Sequence, residues 1–426
     1  MIFRLPNGIL SLLTLLLLSV GCGEGPEMDG ATAPAAEADP GEARKLRSLG
    51  YVGTAPPLPS DAKVGVLSSD PQRWQPGLNF FTNAHFCSAQ LMDMNGEILH
   101  AWSYEPCFRW ENAVLSPQGD LLVAGRKPYE KNPDAARKAH YLLRMDWNGD
   151  VLWQRQMTAH HDVDVSPDGK ILTLTYAHRL IPEVHPRVPI RDDKLNLLDA
   201  DGEVVEQLSL WDLLQSSPDR IKLQSNRVRR FEGAREINAL HSNSIEWLRH
   251  AELVGSQPFY RPSSVLVCIR NQSTLVIIDW DTKELLWAWG RGVLRGPHDA
   301  TVLPNGNILV FDNGRGGRNW SRVVEVDPAR GELVWEYRAK DPYSFYTGTR
   351  GANQRMTNGN TLITESDTGR AFEVTADGEI VWEFLNSNLT DKREPSVIVR
   401  MRRYDGVEYE ALARRVASGQ LLNRVD

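Results

Sequence analysis

One short turn pattern recurs six times along the chain and limits the fold more than any other feature. In each copy a polar residue precedes a Gly-Glu or Gly-Asp step (Lys-Glu in one copy) and then a run of apolar residues, which ends in most copies at tryptophan. Such a pattern is typical of a tight turn between two strands, with glycine at the position that needs a positive φ. The copies are Asn95–Trp102, Asn148–Trp153, Asp201–Val205, Thr282–Trp287, Arg330–Trp335 and Asp377–Trp382.

A second hairpin pattern lies between most of these copies. It occurs at Ser116–Val123, Ser166–Leu172, Pro304–Leu309 and Asn358–Ile363. Two hairpins per repeat make a four-stranded unit, and successive copies of the first pattern lie 53, 53, 81, 48 and 47 residues apart. This spacing is typical of propeller blades. The sequence therefore predicts an all-β fold, a six-bladed β-propeller over residues 61–426, with a β-sandwich as the less regular alternative.

The ends of the repeat and its one long interval carry further predictions. The first copy begins partway through a blade, at Gln90–Trp102, so we expect the end of the chain to close the ring, with Ser396–Tyr404 as the partner strand. The long interval contains Ser216–Arg235, which is rich in arginine. This segment is either a solvated surface excursion or a lid whose cations attract an anionic substrate.

The N-terminal segment has the features of an export signal. Met1–Cys22 is typical of a bacterial lipoprotein signal peptide, with Arg4 at the start, an apolar run to Leu18, and Cys22 as the lipidation site. The alternative is ordinary signal-peptidase cleavage nearby, which would remove Cys22. Residues 23–60 form a predicted flexible linker, because they hold too few apolar residues to bury. We therefore expect an exported protein, periplasmic or at the cell surface, whose contact with a membrane is through a lipid anchor.

The net charge limits the classes of binding partner, and the cysteines suggest how the fold is cross-linked. A formal net charge of −7 and a pI near 5.9 give no basic patch for nucleic acid. Cys87 and Cys107 flank one predicted hairpin, and outside the cytoplasm they would be able to form a disulfide, although the sequence leaves this open. Cys268 lies in an apolar strand and is interpreted as a small core residue.

Three histidines occupy related positions, just before or at the inner strand of a predicted blade. They are His161, His241 and His298. Because the innermost strand of every blade lines the central channel, residues at equivalent blade positions converge. We therefore expect the three imidazoles to form one shared site, although a single histidine on a strand is more often structural.

Arg270 follows an apolar strand, where a charge is costly unless it is paired or hydrated. It would offer a forked donor to an oxyanion in the same channel. Histidines with an arginine allow two chemistries: a metal site, for which the nearby carboxylates are Asp162 and Asp299, or transfer of an anionic group through one imidazole.

From about Gln90 to Phe384 the chain resembles the bacterial arylsulfate sulfotransferases, six-bladed propellers that work outside the cytoplasm. The most specific part of the resemblance is His298 followed by Leu309–Gly314 and Ser321–Glu325. It implies that His298 is the residue that is transiently sulfated. The H-x-N-S match implies an active-site role for His241, and the arginine at the end of the next strand is Arg270.

An H-D match in an earlier blade falls on His161, with His160 as the alternative equivalent. The resemblance implies transfer of a sulfuryl group from a phenolic sulfate ester to a phenol through a sulfohistidine, without a nucleotide donor or any other cofactor. Arg270 would hold the sulfuryl oxygens, and His241 and His161 would move the protons. The implied partners are small-molecule aryl sulfates and phenols, and a homodimer stays open.

Four aromatic residues are candidate walls for an aryl ring, although a single aromatic residue is more often explained by ordinary packing: Trp247, Trp320, Phe345 and Tyr346. No cysteine lies near His298 in the sequence, unlike in some family members, so dependence on a disulfide-forming partner is not implied. Two other functions remain as alternatives. One is a non-catalytic, lipid-anchored propeller that acts as a binding scaffold or glycan-binding module, and the other is a metal-dependent lyase or hydrolase.

Overall fold

A computed structural model describes residues 56–116, 119–166, 169–224, 228–231 and 233–422. The predicted signal peptide, its Cys22, and the predicted linker up to residue 55 lie outside these residues. Within them the chain is almost entirely β-structure. The first strands are β1 (Gly65–Ser69), β2 (Leu78–Asn83), β3 (Ser88–Met92), β4 (Ile98–Ser103), β5 (Arg109–Leu115), β6 (Leu121–Arg126), β7 (His140–Met145), β8 (Val151–Arg155), β9 (Val163–Val165), β10 (Ile171–Arg179), β11 (Ile190–Leu198), β12 (Val204–Ser209), β13 (Val228–Phe231) and β14 (Ala234–Ile237).

The second half of the molecule continues in the same way. Its strands are β15 (Ser242–Trp247), β16 (Ser264–Ile269), β17 (Thr274–Asp279), β18 (Glu284–Trp289), β19 (His298–Val302), β20 (Ile308–Asp312), β21 (Arg322–Asp327), β22 (Glu332–Tyr337), β23 (Ala352–Arg355), β24 (Thr361–Glu365), β25 (Arg370–Val374), β26 (Ile380–Leu385) and β27 (Ile398–Tyr404). They form six separate antiparallel sheets arranged in a ring, so the predicted six-bladed β-propeller is confirmed.

Both ends of the chain contribute to closing the ring. Strand β27 pairs with β2 from Leu78 opposite Tyr404, and β3 and β4 complete that blade. The predicted closing segment is thus confirmed, and the blade starts at Leu78, before the first turn copy. Strand β1 pairs with β26 as a fifth, outer strand of the last blade, which the turn pattern did not predict.

The six innermost strands surround the central channel. Each of β27, β5, β9, β15, β19 and β23 contacts the next one around the ring. The apolar core lies between neighbouring blades: Leu266 and Ile277 of one blade, for example, belong to the same buried cluster as Val310 and Val324 of the next. Because all six inner strands run in the same sense, their first residues gather at one mouth of the channel and their last residues at the other.

Helices are few. They are α1 (Pro133–Ala139), α2 (Leu210–Gln215), α3 (Gly406–Leu422) and the single 3₁₀ turns Ala251–Leu253, Arg270–Gln272, Pro342–Ser344 and Ser366–Thr368. None of the helices in the described ranges is long and apolar enough to cross a membrane. Helix α3 follows the closing strand and packs Leu412 and Val416 against the core of the first two blades.

The long repeat interval forms α2 and the hairpin β13–β14. Strand β14 joins the third blade beside the beginning of β11, where Ile237 pairs with Ile190. Strands β10 and β11 pair over nine residues, but β9 pairs with only the first three residues of β10. The end of β10 and the beginning of β11 therefore project beyond β9 at the mouth where β9 begins. Residues 225–227 and 232 of the predicted excursion lie outside the described ranges. The lid role stays a prediction.

The cysteines adopt two different states. Cys87 and Cys107 form a disulfide with a Cα–Cα distance of 6.2 Å, which resolves the option that the sequence left open. Cys268 is a free, fully buried thiol within β16, as its apolar surroundings predict.

Candidate functional site

The three predicted histidines lie at one mouth of the channel. His161 and His241 directly precede β9 and β15, and His298 is the first residue of β19. The rings of His161 and His241 meet edge to face, with centroids 5.0 Å apart. The charge that His298 carries when protonated lowers the pKa of His161, which shows that the third imidazole lies in the same cluster.

Backbone strain directs two of these side chains. His161 and His241 have φ values of 60° and 53°, in the left-handed region that non-glycine residues seldom adopt. Each such residue costs on the order of 1 kcal/mol and persists only where the surrounding structure holds it. Arg350, in the loop before β23, has the same conformation with φ 57°. A strained residue with a polar side chain therefore precedes three of the inner strands, β9, β15 and β23. Strand β19, which begins with His298, lies between β15 and β23 in the ring.

The side chain of Asn313 fixes the protonation of His298. Its Nδ2 donates to the carbonyl oxygens of Thr347 and Arg350, at 2.8 and 2.7 Å. Both amide hydrogens are therefore used, and Oδ1 faces His298 Nδ1 at 2.6 Å as an acceptor. The Gly296 carbonyl is a second acceptor at 3.1 Å. Consequently Nδ1 carries the proton of the neutral ring, and Nε2 keeps its lone pair.

All three imidazoles are held in the neutral form. Burial, and then the charge of Arg270, lower the pKa of His298 to about 3. Burial also lowers the pKa of His161 and His241 well below the ordinary value. Asn238 Nδ2 donates to His241 Nδ1 at 2.9 Å, which leaves His241 Nε2 as a donor. The cluster therefore offers both a lone pair and an N–H group at neutral pH.

Two guanidinium groups flank the cluster. Arg270 follows β16, and its Nη1 donates to Asn271 Oδ1 at 3.0 Å. Burial and the charge of Arg315 lower the pKa of Arg270 to about 10, and burial and Arg109 lower the pKa of Arg350. Within the described part of the chain neither Arg270 nor Arg350 forms an ion pair with a carboxylate. Two unpaired, half-buried cations beside neutral imidazoles favour binding of an anion.

Arg350 was missed by the sequence reasoning. Both its charge and that of Arg270 lower the pKa of His298, which places the two cations around this imidazole. Its position before the inner strand of the sixth blade corresponds to the positions of His161 and His241 before theirs. A search for any charged residue at equivalent blade positions, rather than for histidine alone, would have found it.

His160 lies behind His161 relative to the cluster. It is 2% exposed, and its Nδ1 lies 2.7 Å from Nδ1 of His161. Its ring packs against Tyr176, with centroids 5.6 Å apart, and its Nε2 is 3.8 Å from the carboxylate of Asp193. Of the two neighbours, His161 is therefore the one that contacts His241. The catalytic role of either residue stays a prediction.

The two carboxylates that were considered as bases are held by an arginine of the closing strand. Arg400 donates to both oxygens of Asp162, at 2.9 and 3.1 Å, and lies 2.8 Å from Asp299. The backbone N–H group of Ile245 also donates to Oδ2 of Asp162, and that of Asn353 donates to Oδ2 of Asp299. These carboxylates thus tie the third and fifth blades to β27 and form a layer across the channel beneath the histidines.

A buried carboxylate on the second blade also influences the cluster. Glu111 of β5 lies 2.5 Å from Arg126 and 2.7 Å from Arg109. Although burial raises it, the charges of these two arginines hold the pKa of Glu111 well below its usual range. Among the described residues no group of three or more His, Cys, Asp or Glu side chains is arranged to hold a metal ion.

The four candidate aromatic walls occupy different environments. Tyr346 is 8% exposed. Burial raises the pKa of its phenol, and the positive charges of Arg315 and Arg270 act in the opposite direction, so Tyr346 lies close enough to both arginines to feel their charge. Phe345 is a core residue, with Phe311 and Phe372 at centroid distances of 5.6 and 5.5 Å.

The two tryptophans differ from Tyr346 in their surroundings. Trp247 is the last residue of β15, so it lies at the end of the strand away from His241, and it packs against Trp280 with centroids 5.8 Å apart. Trp320 is covered by Arg318, whose guanidinium carbon is 4.8 Å from the ring centroid. Their substrate-binding roles remain predictions.

A cavity of about 620 Å³ lies at the opposite mouth of the channel. Its lining includes Val165, Glu246 and Val302 at the ends of inner strands, and Leu412 of helix α3. The layer formed by Arg400 and its two aspartates separates this cavity from the histidines. Arg270 and Arg350 do not line this cavity; they lie with the histidines at the other mouth.

Comparison with known proteins gives a family match over residues 140–387, to the model described as arylsulfotransferase (ASST). No curated protein matches the chain. A protein of unknown function from Bacteroides caccae is similar in structure, at 13% identity over 78% of this chain and 100% of that chain, with a TM-score of 0.48. An inactive virginiamycin B lyase from Staphylococcus aureus with quinupristin matches at 11% identity over 79% of this chain and 92% of that chain, with a TM-score of 0.44. Because the family match covers more than half of the sequence and includes His161, His241, Arg270 and His298, the chain belongs to the arylsulfotransferase family.

Proposed function

We propose that the protein transfers a sulfuryl group from a phenolic sulfate ester to a phenol through His298, without a nucleotide donor. Membership of the family supports arylsulfotransferase activity in general. The observation that carries the finer proposal is the hydrogen bond from His298 Nδ1 to Asn313 Oδ1 at 2.6 Å. It leaves Nε2 as a neutral nucleophile, and the charges of Arg270 and Arg350 act on the same imidazole.

In the first step His298 Nε2 attacks the sulfur of the aryl sulfate. The new N–S bond forms while the bond from sulfur to the aryl oxygen breaks, and the electron pair leaves on the phenolic oxygen. Arg270 and Arg350 stabilise the negative charge on the three remaining sulfuryl oxygens. Asn313 Oδ1 accepts a hydrogen bond from the protonated Nδ1 of the sulfated ring, which becomes cationic. Phenols suit this step because their pKa of about 10 makes them better leaving groups than alkyl alcohols.

Proton movement is assigned to His241 and His161. In the free enzyme burial, and after it the charges of neighbouring arginines, keep both rings neutral by lowering their pKa. A bound sulfate offsets the charge of Arg270 and Arg350, which raises the pKa of the neighbouring imidazoles and lets one of them carry a proton to the leaving oxygen. In the second step the neutral imidazole takes the proton of the acceptor phenol, whose oxygen attacks sulfur, and the pair of the broken N–S bond returns to Nε2.

The test mixes the purified protein with 4-nitrophenyl sulfate and a second phenol. We expect ping-pong kinetics, acceptor-dependent release of nitrophenol, and a mass increase of one SO₃ group on His298 when the acceptor is omitted. His298→Ala abolishes both signals. His250→Ala is the matched control, because His250 lies at the opposite mouth, where its Nε2 contacts the Val302 carbonyl. Folded protein that is silent across a broad panel of aryl sulfates would instead favour the binding scaffold or glycan-binding module.

We also propose that the protein is exported and lipid-anchored through Cys22. The support is the order of Arg4, the apolar run and Gly21-Cys22 in the sequence. Fractionation of cells that express the wild type and Cys22→Ser tests this proposal. We expect the wild type in the membrane fraction and the variant outside it, and an unchanged distribution would contradict the anchor.

A further inference from the structure

We infer that the histidine mouth contains a second anion subsite at Arg315, so that its preferred substrates are aryl sulfates that carry another anionic group. The inference rests on the proposed function for the identity of the first anion. It is built on three observations: the charge balance of the mouth, the position of Arg315 beside Arg270, and the difference in depth between the two arginines.

The charge balance leaves a cation without a partner. Arg270, Arg350 and Arg315 form no ion pair with a carboxylate in the ranges that the structure describes. Asp367 is the carboxylate whose charge acts on both Arg270 and Arg350, and it accepts hydrogen bonds from Thr349 N and Oγ1 at 3.1 and 2.7 Å. Glu111 also acts on Arg350, but it is already paired with Arg109 and Arg126. An aryl sulfate monoester adds one more negative charge. Three cations therefore face two negative charges, and one guanidinium group remains uncompensated.

Four other arginines around the imidazole cluster pair with three carboxylates, so these pairs leave no negative charge for Arg270, Arg315 or Arg350. The pairs are Arg109 and Arg126 with Glu111, Arg191 with Asp193, and Arg229 with Glu236. The three arginines without an ion pair belong to the fourth, fifth and sixth blades, so the excess of positive charge lies on that side of the mouth, next to His298.

Arg315 lies directly beside Arg270. Gly296 separates them: a methyl group placed on Gly296 would lie 3.8 Å from Cβ of Arg315 and 4.0 Å from Cγ of Arg270. After burial, the charge of Arg315 has the largest influence on the pKa of Arg270. Two like charges this close repel each other unless an anion binds between or beside them.

The two arginines differ in depth. Arg270 is half-buried next to the histidines, whereas Arg315 is exposed on the loop that follows Asn313. Glycines with φ of 75° and 69° flank it at Gly314 and Gly316, so this loop takes a path that other residues would resist. The sulfuryl group therefore binds at the inner position, and a second anion on the aryl ring reaches the rim. Tyr346 lies in the field of both arginines, next to the path of such a ring.

Non-transferable sulfonates test the subsite without turnover. The probes are benzenesulfonate, with one anionic group, and benzene-1,3-disulfonate, with two, and their Kd values are measured by calorimetry at low salt. We expect the disulfonate to bind about tenfold more tightly, the effect of one added charge-assisted contact. Arg315→Gln reduces this ratio to about twofold or less, and added salt reduces it in the wild type.

Arg330→Gln is the matched control. Arg330 is an exposed arginine of the same blade, but it lies in the β21–β22 turn at the other face of the ring. We expect this variant to keep the wild-type ratio. Equal affinity for the two probes in the wild type, or a preference that survives Arg315→Gln, would overturn the subsite.

Turnover of 4-nitrophenyl sulfate, measured on the same samples, separates this inference from the proposed function. A disulfonate preference that depends on Arg315 in a protein without turnover supports the subsite and contradicts the transferase. Turnover through His298 with no preference between the probes contradicts the subsite alone.

Discussion

Lowering the pH from 7 to 5 is expected to leave the attack of His298 on an aryl sulfate almost unchanged. Burial and the charge of Arg270 lower the pKa of His298 to about 3. At pH 5 a group with that pKa is about 99% neutral, whereas an imidazole with the ordinary pKa of about 6.5 is only about 3% neutral. The two situations differ about thirtyfold in the amount of nucleophile, which kinetic measurements resolve easily.

The appropriate quantity is kcat/KM for the sulfate donor, because its pH dependence reports the ionisation of the free enzyme. With 4-nitrophenyl sulfate, followed at a wavelength where nitrophenol and nitrophenolate absorb equally, we expect kcat/KM not to fall between pH 7 and pH 5, because His298 stays neutral. Circular dichroism at each pH shows that the fold is retained. An acidic limb near pH 6.5 in folded wild-type protein would refute the reasoning, because the nucleophile would then be an exposed or uncompensated imidazole.

The variant Arg270→Gln tests the electrostatic cause. Removing the positive charge takes away the largest effect on His298 after burial, so its pKa rises, while burial and the charge of Arg350 keep it below the ordinary value. We expect the acidic limb to move upward by about one pH unit, together with a loss of roughly 10²- to 10³-fold in kcat/KM from the missing oxyanion donor. The limb position is the decisive readout, since a purely structural defect would lower activity without moving it.

Three further predictions concern stability. Burial and the charge of Arg126 lower the pKa of His140 to about 4, so the unfolded chain binds this proton more readily; His140 alone should contribute a fall in stability of about 1.4 kcal/mol per pH unit from pH 6.5 down to 4, and the slope in urea titrations should be shallower by this amount for His140→Asn. Arg403→Met leaves the fully buried Glu373 without the cation of its ion pair and should lower the free energy of unfolding, measured by chemical denaturation, by about 3–5 kcal/mol. The double variant with Glu373→Gln should lose less, and an equal loss in the two variants would contradict the pairing argument. Replacing Cys87 and Cys107 by serine opens a link between residues 20 positions apart and should lower the free energy of unfolding by about 3 kcal/mol; thermal unfolding that matches the wild type would contradict this.

The architecture was predictable because it repeats. Each Gly-Glu turn marks the hairpin of a blade, so six copies gave the blade count, and the incomplete first copy required a closing strand near Ser396–Tyr404. Strand β1 was not predictable in this way. Gly65–Ser69 is a short, partly exposed outer strand with no turn pattern of its own, and its pairing with β26 depends on a partner more than 300 positions later in the chain.

The site was predictable to the extent that blade position determines it. His161, His241 and His298 were selected because inner strands converge, and the structure does place them at one mouth. The contribution of Asn313 was hidden, because it depends on two carbonyl groups of the sixth blade accepting its amide hydrogens. Arg350 was missed for a different reason: the equivalent blade positions were searched for histidine alone.

The aromatic residues show where sequence reasoning stops. Phe345 and Tyr346 are adjacent, yet the first packs among core rings while the second lies in the field of Arg270 and Arg315. Neighbouring residues outside regular strands follow no fixed alternation, so the sequence alone does not decide which of them faces the mouth.

The position of the closing strand makes the assembled mouth depend on complete synthesis. Arg403 of β27 donates to Asn79, 324 positions earlier in the chain, and Arg400 of the same strand holds Asp162 next to His161. A translation product or proteolytic fragment that ends before residue 398 would contain every histidine of the cluster, but neither a closed ring nor the layer that supports those histidines. In a transfer assay, activity would therefore come only from chains that include β27, and chains that end before residue 398 would have no activity rather than weak activity.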